Sequence, residues 1–122
     1  MIVSRCRDIE EFKRVHSECE NDRINTAENI LRNWDYHFCF YDENTNKLVG
    51  CIYIEEDEGK TCLSGFAIRK NYDTVIKAIK WVSEFMHLDD LYSHTTEKCA
   101  KIVLLRCGFK KISDDWFIRK AY

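Results

Sequence analysis

The chain has 122 residues, enough for one domain spanning 1–122 with a modest core and too few for two. Apolar residues make up 45%, charged residues 33%, and the net charge is −2, so the class is globular, and the even spread of basic residues argues against a nucleic-acid-binding face. No apolar run is long enough to span a membrane, which excludes a membrane partner of the spanning kind.

Ile2 to Cys6 is a short strand candidate. Asp8 is placed to cap the helix that follows, with acids in its first turn as the helix dipole prefers. Ile9, Phe12, His16 and Cys19 form the apolar face of that helix, and His16 reads as a packed histidine rather than a ligand. Glu20 to Arg23 form a polar break. A second helix, about Thr26 to Trp34, turns Ala27, Ile30, Leu31 and Trp34 inward. The period then changes to two. Tyr36 to Tyr41 is an aromatic-rich strand, Asp42 to Lys47 a turn, and Leu48 to Ile54 the return strand of a hairpin. Glu55 to Gly59 reads as an acidic, solvated turn, and Lys60 to Ile68 as the third strand of the meander.

Arg69, Lys70, Asn71 and Tyr72 follow that strand, and Asp73 is placed like a helix cap. Val75, Ile76, Ile79, Val82 and Met86 then fall at helical spacing. A strand that opens into a helix N-terminus offers unpaired N–H groups and a favourable dipole to an anion, and two cations stand at its mouth. The joint therefore suits a phosphorylated cofactor. A short strand at Asp90 to His94 comes next. Thr95 or Thr96 can cap a further helix from Glu97 to Cys107, whose inward face is Ala100, Val103, Leu104 and Cys107. Gly108 ends it as a C-terminal glycine should. Phe109 to Ile112 and Trp116 to Lys120 are two closing strands.

The chain has no proline and only four glycines, so Asn, Asp and Ser must make most turns. None of the seven cysteines pairs at CxxC spacing, which argues against zinc and against any metal site. Cys39, Cys51, Cys62, Cys99 and Cys107 read as free, core-facing cysteines of a reducing, cytoplasmic setting, and the N-terminus lacks a secretory core.

The order is strand, two helices, three antiparallel strands, helix, strand, helix, two strands. This is an α+β domain with a central mixed, mostly antiparallel sheet and helices on both faces. That order resembles the GNAT N-acetyltransferase fold. The closing segment TTEKCAKIVLLRCGFKKI, with Ala100, Gly108 and Phe109, resembles the family's last helix and its Gly-Phe ending. The compact form also resembles GNAT-like proteins of tailed bacteriophages, among them an internal virion protein, which would place the chain in a host cytoplasm or a virion.

The resemblance implies acetyl-CoA as cofactor and direct attack of an amine on its thioester. It implies that a strand edge pairs with the pantetheine and that an Arg/Gln-x-x-Gly-x-Gly/Ala loop wraps the pyrophosphate. The matching cofactor-binding positions are Phe66, Ile68, Arg69, Lys70, Asn71, Tyr72, Asp73 and Thr74, a stretch without glycine in its loop, where Arg69 and Lys70 supply charge instead. The family's proton-donating tyrosine corresponds to Leu104 and its helix-start asparagine to Glu97. His94 and Tyr92, on the strand before, are then the candidates for proton transfer. Two readings remain at this level. One is an enzyme with an amine substrate. The other is a catalytically inactive binding or assembly protein with a protein partner, in which Trp34, Trp81, Trp116 and Tyr122 would serve an interface. End strands of such a sheet also leave room for a homodimer.

Overall fold

The computed structural model describes residues 2–3, 6–19, 26–32, 37–68 and 72–122, with the backbone alone at 2–3. Trp34 and the loop positions Arg69, Lys70 and Asn71 lie outside the described residues.

Among the described residues, seven strands form one sheet in the order β1-β2-β3-β4-β5-β7-β6. Strand β1 (Ile2–Val3) pairs with β2 (His37–Tyr41), which pairs with β3 (Leu48–Asp57), which pairs with β4 (Lys60–Ala67), all antiparallel. Strand β5 (Leu91–His94) then runs parallel to β4. Strand β7 (Trp116–Arg119) pairs antiparallel with β5, and the short β6 (Lys110–Lys111) closes the edge. The sheet is thus mixed and mostly antiparallel, as its order of elements implies.

Helices cover both faces. On one, α1 (Ile9–Glu18) and α2 (Ala27–Arg32) bury Phe12, Val15, Ala27 and Ile30 against Cys39, Tyr41, Cys51, Tyr53 and Phe66. On the other, α3 (Tyr72–Phe85) and α4 (Lys98–Arg106) bury Ala78, Ile79, Val82, Val103 and Leu104 against Phe38, Ile52, Leu63, Leu91 and Phe117. The β2–β3 register slips at Phe40 and Tyr41, which face Gly50 and Leu48. This bulge turns Val49 and Ile52 to the same face. Gly50 permits the close approach that results, because a Cβ there would lie 2.2 Å from the Phe66 carbonyl oxygen.

Several local readings need correction. Asp8 does cap α1, accepting from the N–H groups of Glu10 and Glu11. Ile9, however, is 53% exposed, and Val15 is buried beside the expected Phe12. Glu55, Glu56 and Asp57 are not turn residues. Strand β3 runs through them, and the reversal is made by Glu58 and Gly59, both at positive φ. Two consecutive positive-φ residues make the tight hairpin that matches strand twist. Helix α3 begins at Tyr72, so Asp73 sits inside its first turn and not at its cap. Thr95 accepts from the Glu97 N–H, but the residue at the cap of α4 is Glu97, whose side chain makes no capping bond. Cys99 is exposed, whereas Cys39, Cys51, Cys62 and Cys107 are buried, and none of the described cysteines is in a disulfide.

Arg119 ties the last strand to the end of α3. Its guanidinium donates to the carbonyls of Ser83, Met86 and Asp89 at 2.6, 3.0 and 2.7 Å. A cation at a helix C-terminus meets both the orphan carbonyls and the negative end of the dipole.

Candidate active-site cleft

The sheet is closed at one end of the β4–β5 pair and open at the other. Pairing extends only over Thr61–Leu91 and Cys62–Tyr92. Next along, the Ser93 hydroxyl donates to the Leu63 carbonyl at 2.9 Å, so a side chain makes the last link. Beyond it the strands part. Ile68 N–H bonds the Val49 carbonyl on β3. By strand alternation the N–H and C=O groups of Gly65 and Ala67 then point away from β3, into the gap.

The gap is a cleft with walls of two kinds. Leu63, Phe66 and Ala67 on β4 and Ala100, Val103 and Leu104 on α4 give apolar surface. Ser93, His94, Thr95 and Glu97 bring polar groups to the β5 side, and Cys99 opens onto it from α4. Tyr72, in the first turn of α3, stands at the mouth and is 40% exposed. A slot of this shape, with an unpaired strand edge on one side and apolar walls, fits an extended amide-bearing chain such as pantetheine.

The candidates from sequence distribute as follows. Phe66 and Tyr72 line the cleft. Ile68 packs toward the α1 core, and Asp73 and Thr74 follow Tyr72 in α3. His94 lines the cleft at its lip. Its ring lies 4.9 Å from that of Trp116. Tyr92 is two residues earlier on the same face of β5, half-buried, with the Lys60 ammonium 5.8 Å from its ring centre. Leu104, at the position of the family's tyrosine, is buried in the cleft wall. His16 packs edge-on against Phe66 at 4.9 Å, in keeping with a packed histidine.

Sequence reasoning missed Ser93 and Gly65. Both sit within strands that read as plain apolar runs. Their signal was available only as the small and polar interruptions in TCLSGFA and LYSH. Gly65 is needed for backbone proximity: a Cβ there would lie 2.5 Å from the Cys51 carbonyl oxygen. Glu55 was also placed wrongly as a turn residue. It stands on β3 and accepts from the Ser64 hydroxyl at 3.1 Å.

Among the described residues no group of histidine, cysteine or acidic side chains could hold a metal ion, and no helix is long and apolar enough to cross a membrane.

No sequence-family model matches the chain, and no curated protein sequence matches it. Solved structures do. An N-acetyltransferase from Staphylococcus aureus superposes with a TM-score of 0.70 at 16% identity, covering 98% of this chain and 97% of its own. Rv2747 of Mycobacterium tuberculosis, crystallised in complex with CoA, gives 0.68 at 12% identity, covering 93% of this chain and 73% of its own. A GNAT-family acetyltransferase from Bacillus anthracis gives 0.61 at 15% identity, covering 96% and 89%. Likeness of this extent at so low an identity is likeness of fold, and the chain has the fold of the GNAT-family acetyltransferases.

Proposed function

We propose that the chain is an acetyl-CoA-dependent N-acetyltransferase acting on an amine. The observation that carries this reading is the cleft at the open end of β4 and β5, where the backbone groups of Gly65 and Ala67 face an apolar wall across a gap. The CoA complex of the M. tuberculosis neighbour supports the ligand class.

Acetyl-CoA supplies, when bound, an activated acetyl thioester. The edge of β4 binds the pantetheine amides, and an N–H of Gly65 or Ala67 polarises the acetyl carbonyl toward attack. Phe66 and Ile68 set that edge by packing into the α1 core. The start of α3, with Tyr72, Asp73 and Thr74, receives the phosphates together with Arg69, Lys70 and Asn71. His94, at the lip, takes a proton from the attacking amine or returns one to the departing thiolate, and the Tyr92 hydroxyl is its neighbour on the same strand face. Leu104 keeps the wall dry and donates nothing, so the proton path must run along β5.

The exposed Cys99 thiol opens on the same cleft and offers a direct test. Acetyl-CoA should slow N-ethylmaleimide labelling of Cys99 and leave the half-buried Cys19 on the far face of the sheet unaffected. It should also raise the unfolding temperature by mass action. An amine acceptor should then release free CoA thiol, with His94→Ala reducing the rate on the order of 100-fold. Unchanged labelling of Cys99 at millimolar acetyl-CoA would overturn the reading.

A second reading, a catalytically inactive binding or assembly protein, draws on Leu104 and on an exposed aromatic pair. Trp81 and Phe85 of α3 stack at 5.6 Å over Phe38 of β2 and are 46% and 63% exposed. Cys99 protection without thiol release in the presence of amines, joined to capture of a defined protein that Trp81→Ala abolishes, would favour it.

A further inference from the structure

On the α1 side of the sheet, among the described residues, the core under α1 and α2 draws its strand residues from β2, β3 and β4, and β5 and β7 contribute none to it. Tyr92 and His94 alternate onto this face from β5, and Trp116 is the direct cross-strand partner of His94. The Lys60 ammonium reaches along β4 and lies 5.4 Å from the Trp116 ring centre and 5.8 Å from that of Tyr92. Both rings are half-buried and held by the sheet. This is a two-ring cation platform already holding an alkyl ammonium.

Acidic side chains stand on the neighbouring strand. Asp57 is the cross-strand partner of Lys60, and Glu55 that of Cys62. Burial raises the Cys62 thiol pKa, and Asp57 and Glu55 raise it further, while Lys60 alone opposes them. The platform also reaches the reacting end of the cleft, because the His94 ring contacts Trp116 on one side and lines the cleft on the other.

We propose that Tyr92, Trp116 and His94 form the acceptor subsite for an ammonium group at the end of a linear alkyl chain, and that Lys60 occupies it as a built-in competitor. The inference rests on the acetyl-transfer reading and specifies its acceptor. A lysine side chain and a linear diamine share this chemistry. Displacing Lys60 places the incoming nitrogen against His94, the group that would take its proton before attack.

The test follows the indole N–H signal of Trp116 by NMR at pH 7, where alkylamines are protonated. n-Pentylamine should shift that signal and n-pentanol should not. Lys60→Met should bind the amine about two- to fivefold more tightly, as removal of an exposed cation–π competitor implies. Nα-acetyl-lysine amide and 1,5-diaminopentane then distinguish the two sources, the tighter one naming the acceptor. Equal responses to amine and alcohol, or no gain in Lys60→Met, would overturn the proposal. Cys99 protection by acetyl-CoA is read on the same samples. Protection retained with a silent Trp116 sinks the acceptor subsite alone. Protection lost with Trp116 still responding to amine sinks acetyl transfer and leaves an ammonium-binding face.

Discussion

The two ends of β4 make a controlled comparison within one strand. At its start, Thr61 and Cys62 are hydrogen-bonded neighbours of β3 on one side and β5 on the other. At its finish, Gly65 and Ala67 keep β3 but, among the described residues, have no strand opposite. The first end is a sheet interior and the second is an edge held inside the molecule. An edge of this kind usually invites pairing with another chain. Here α4 walls it, which leaves a slot and not an open edge. Stability and binding should accordingly separate along a single strand.

The largest expected effect is at the closed end. Leu91 is fully buried in the core that α3 and α4 share with the sheet, and Leu91→Ala should cost about 2–5 kcal/mol in urea unfolding, the range for a leucine cavity in a packed core. At the open end, Ala67→Leu adds bulk to a half-buried wall of the cleft. It should move stability by less than about 1 kcal/mol, yet abolish acetyl-CoA protection of Cys99. If both substitutions weakened folding equally, the open end would be core and not cleft.

Ser93 marks the boundary, and its effect should be intermediate. Ser93→Ala leaves the Leu63 carbonyl without its 2.9 Å donor in a buried place. The expected loss is about 1–3 kcal/mol, the desolvation cost of one orphaned group. Ser93→Thr keeps the hydroxyl and should recover most of it. An alanine variant as stable as the parent would show that the strands part without help from the side chain.

The same comparison explains what could be read from sequence. The closed end was legible because period and order suffice there. Phe12 and Val82 fall on helical stripes, and the run from Thr61 to Ile68 holds apolar or small residues throughout. The Gly108–Phe109 ending gave the fold its likeness. The open end was not legible, because a strand edge looks the same in sequence whether or not a partner lies beside it. Nothing in LYSH marks Ser93 as the last link, and nothing in TCLSGFA marks Gly65 as facing a gap. Turn chemistry misled where acids cluster: Glu55 to Asp57 looked like a solvated turn, but a two-residue reversal at Glu58 and Gly59 leaves them on the strand. Lys60 drew no attention as a lone surface lysine, since its aromatic partners lie 32 and 56 positions away.

The smallest effect concerns the brace behind the open end. Lys101 on α4 donates to the Asp114 carbonyl at 2.7 Å and to the Asp115 carboxylate at 2.9 Å. The Asp115 carbonyl in turn accepts from the Thr95 N–H at 3.0 Å, next to His94. The Lys101 hydrogen bond, followed by nearby positive charge, holds the Asp115 carboxyl below its ordinary value of 3.8. A depressed folded value contributes stability above the unfolded pKa, and that contribution fades as pH falls through the folded one. The difference in unfolding temperature between the parent and Lys101→Met should therefore be full at pH 7 and shrink below about pH 4. A remnant should persist from the bond to the Asp114 carbonyl, which does not titrate. Carboxyl NMR should show Asp115 titrating higher in the variant. Because the brace is only half-buried and is screened by solvent, its effect on folding should be slight, and its larger consequence should be at the lip, where a loosened Thr95 would let His94 swing from the cleft and reduce turnover more than stability.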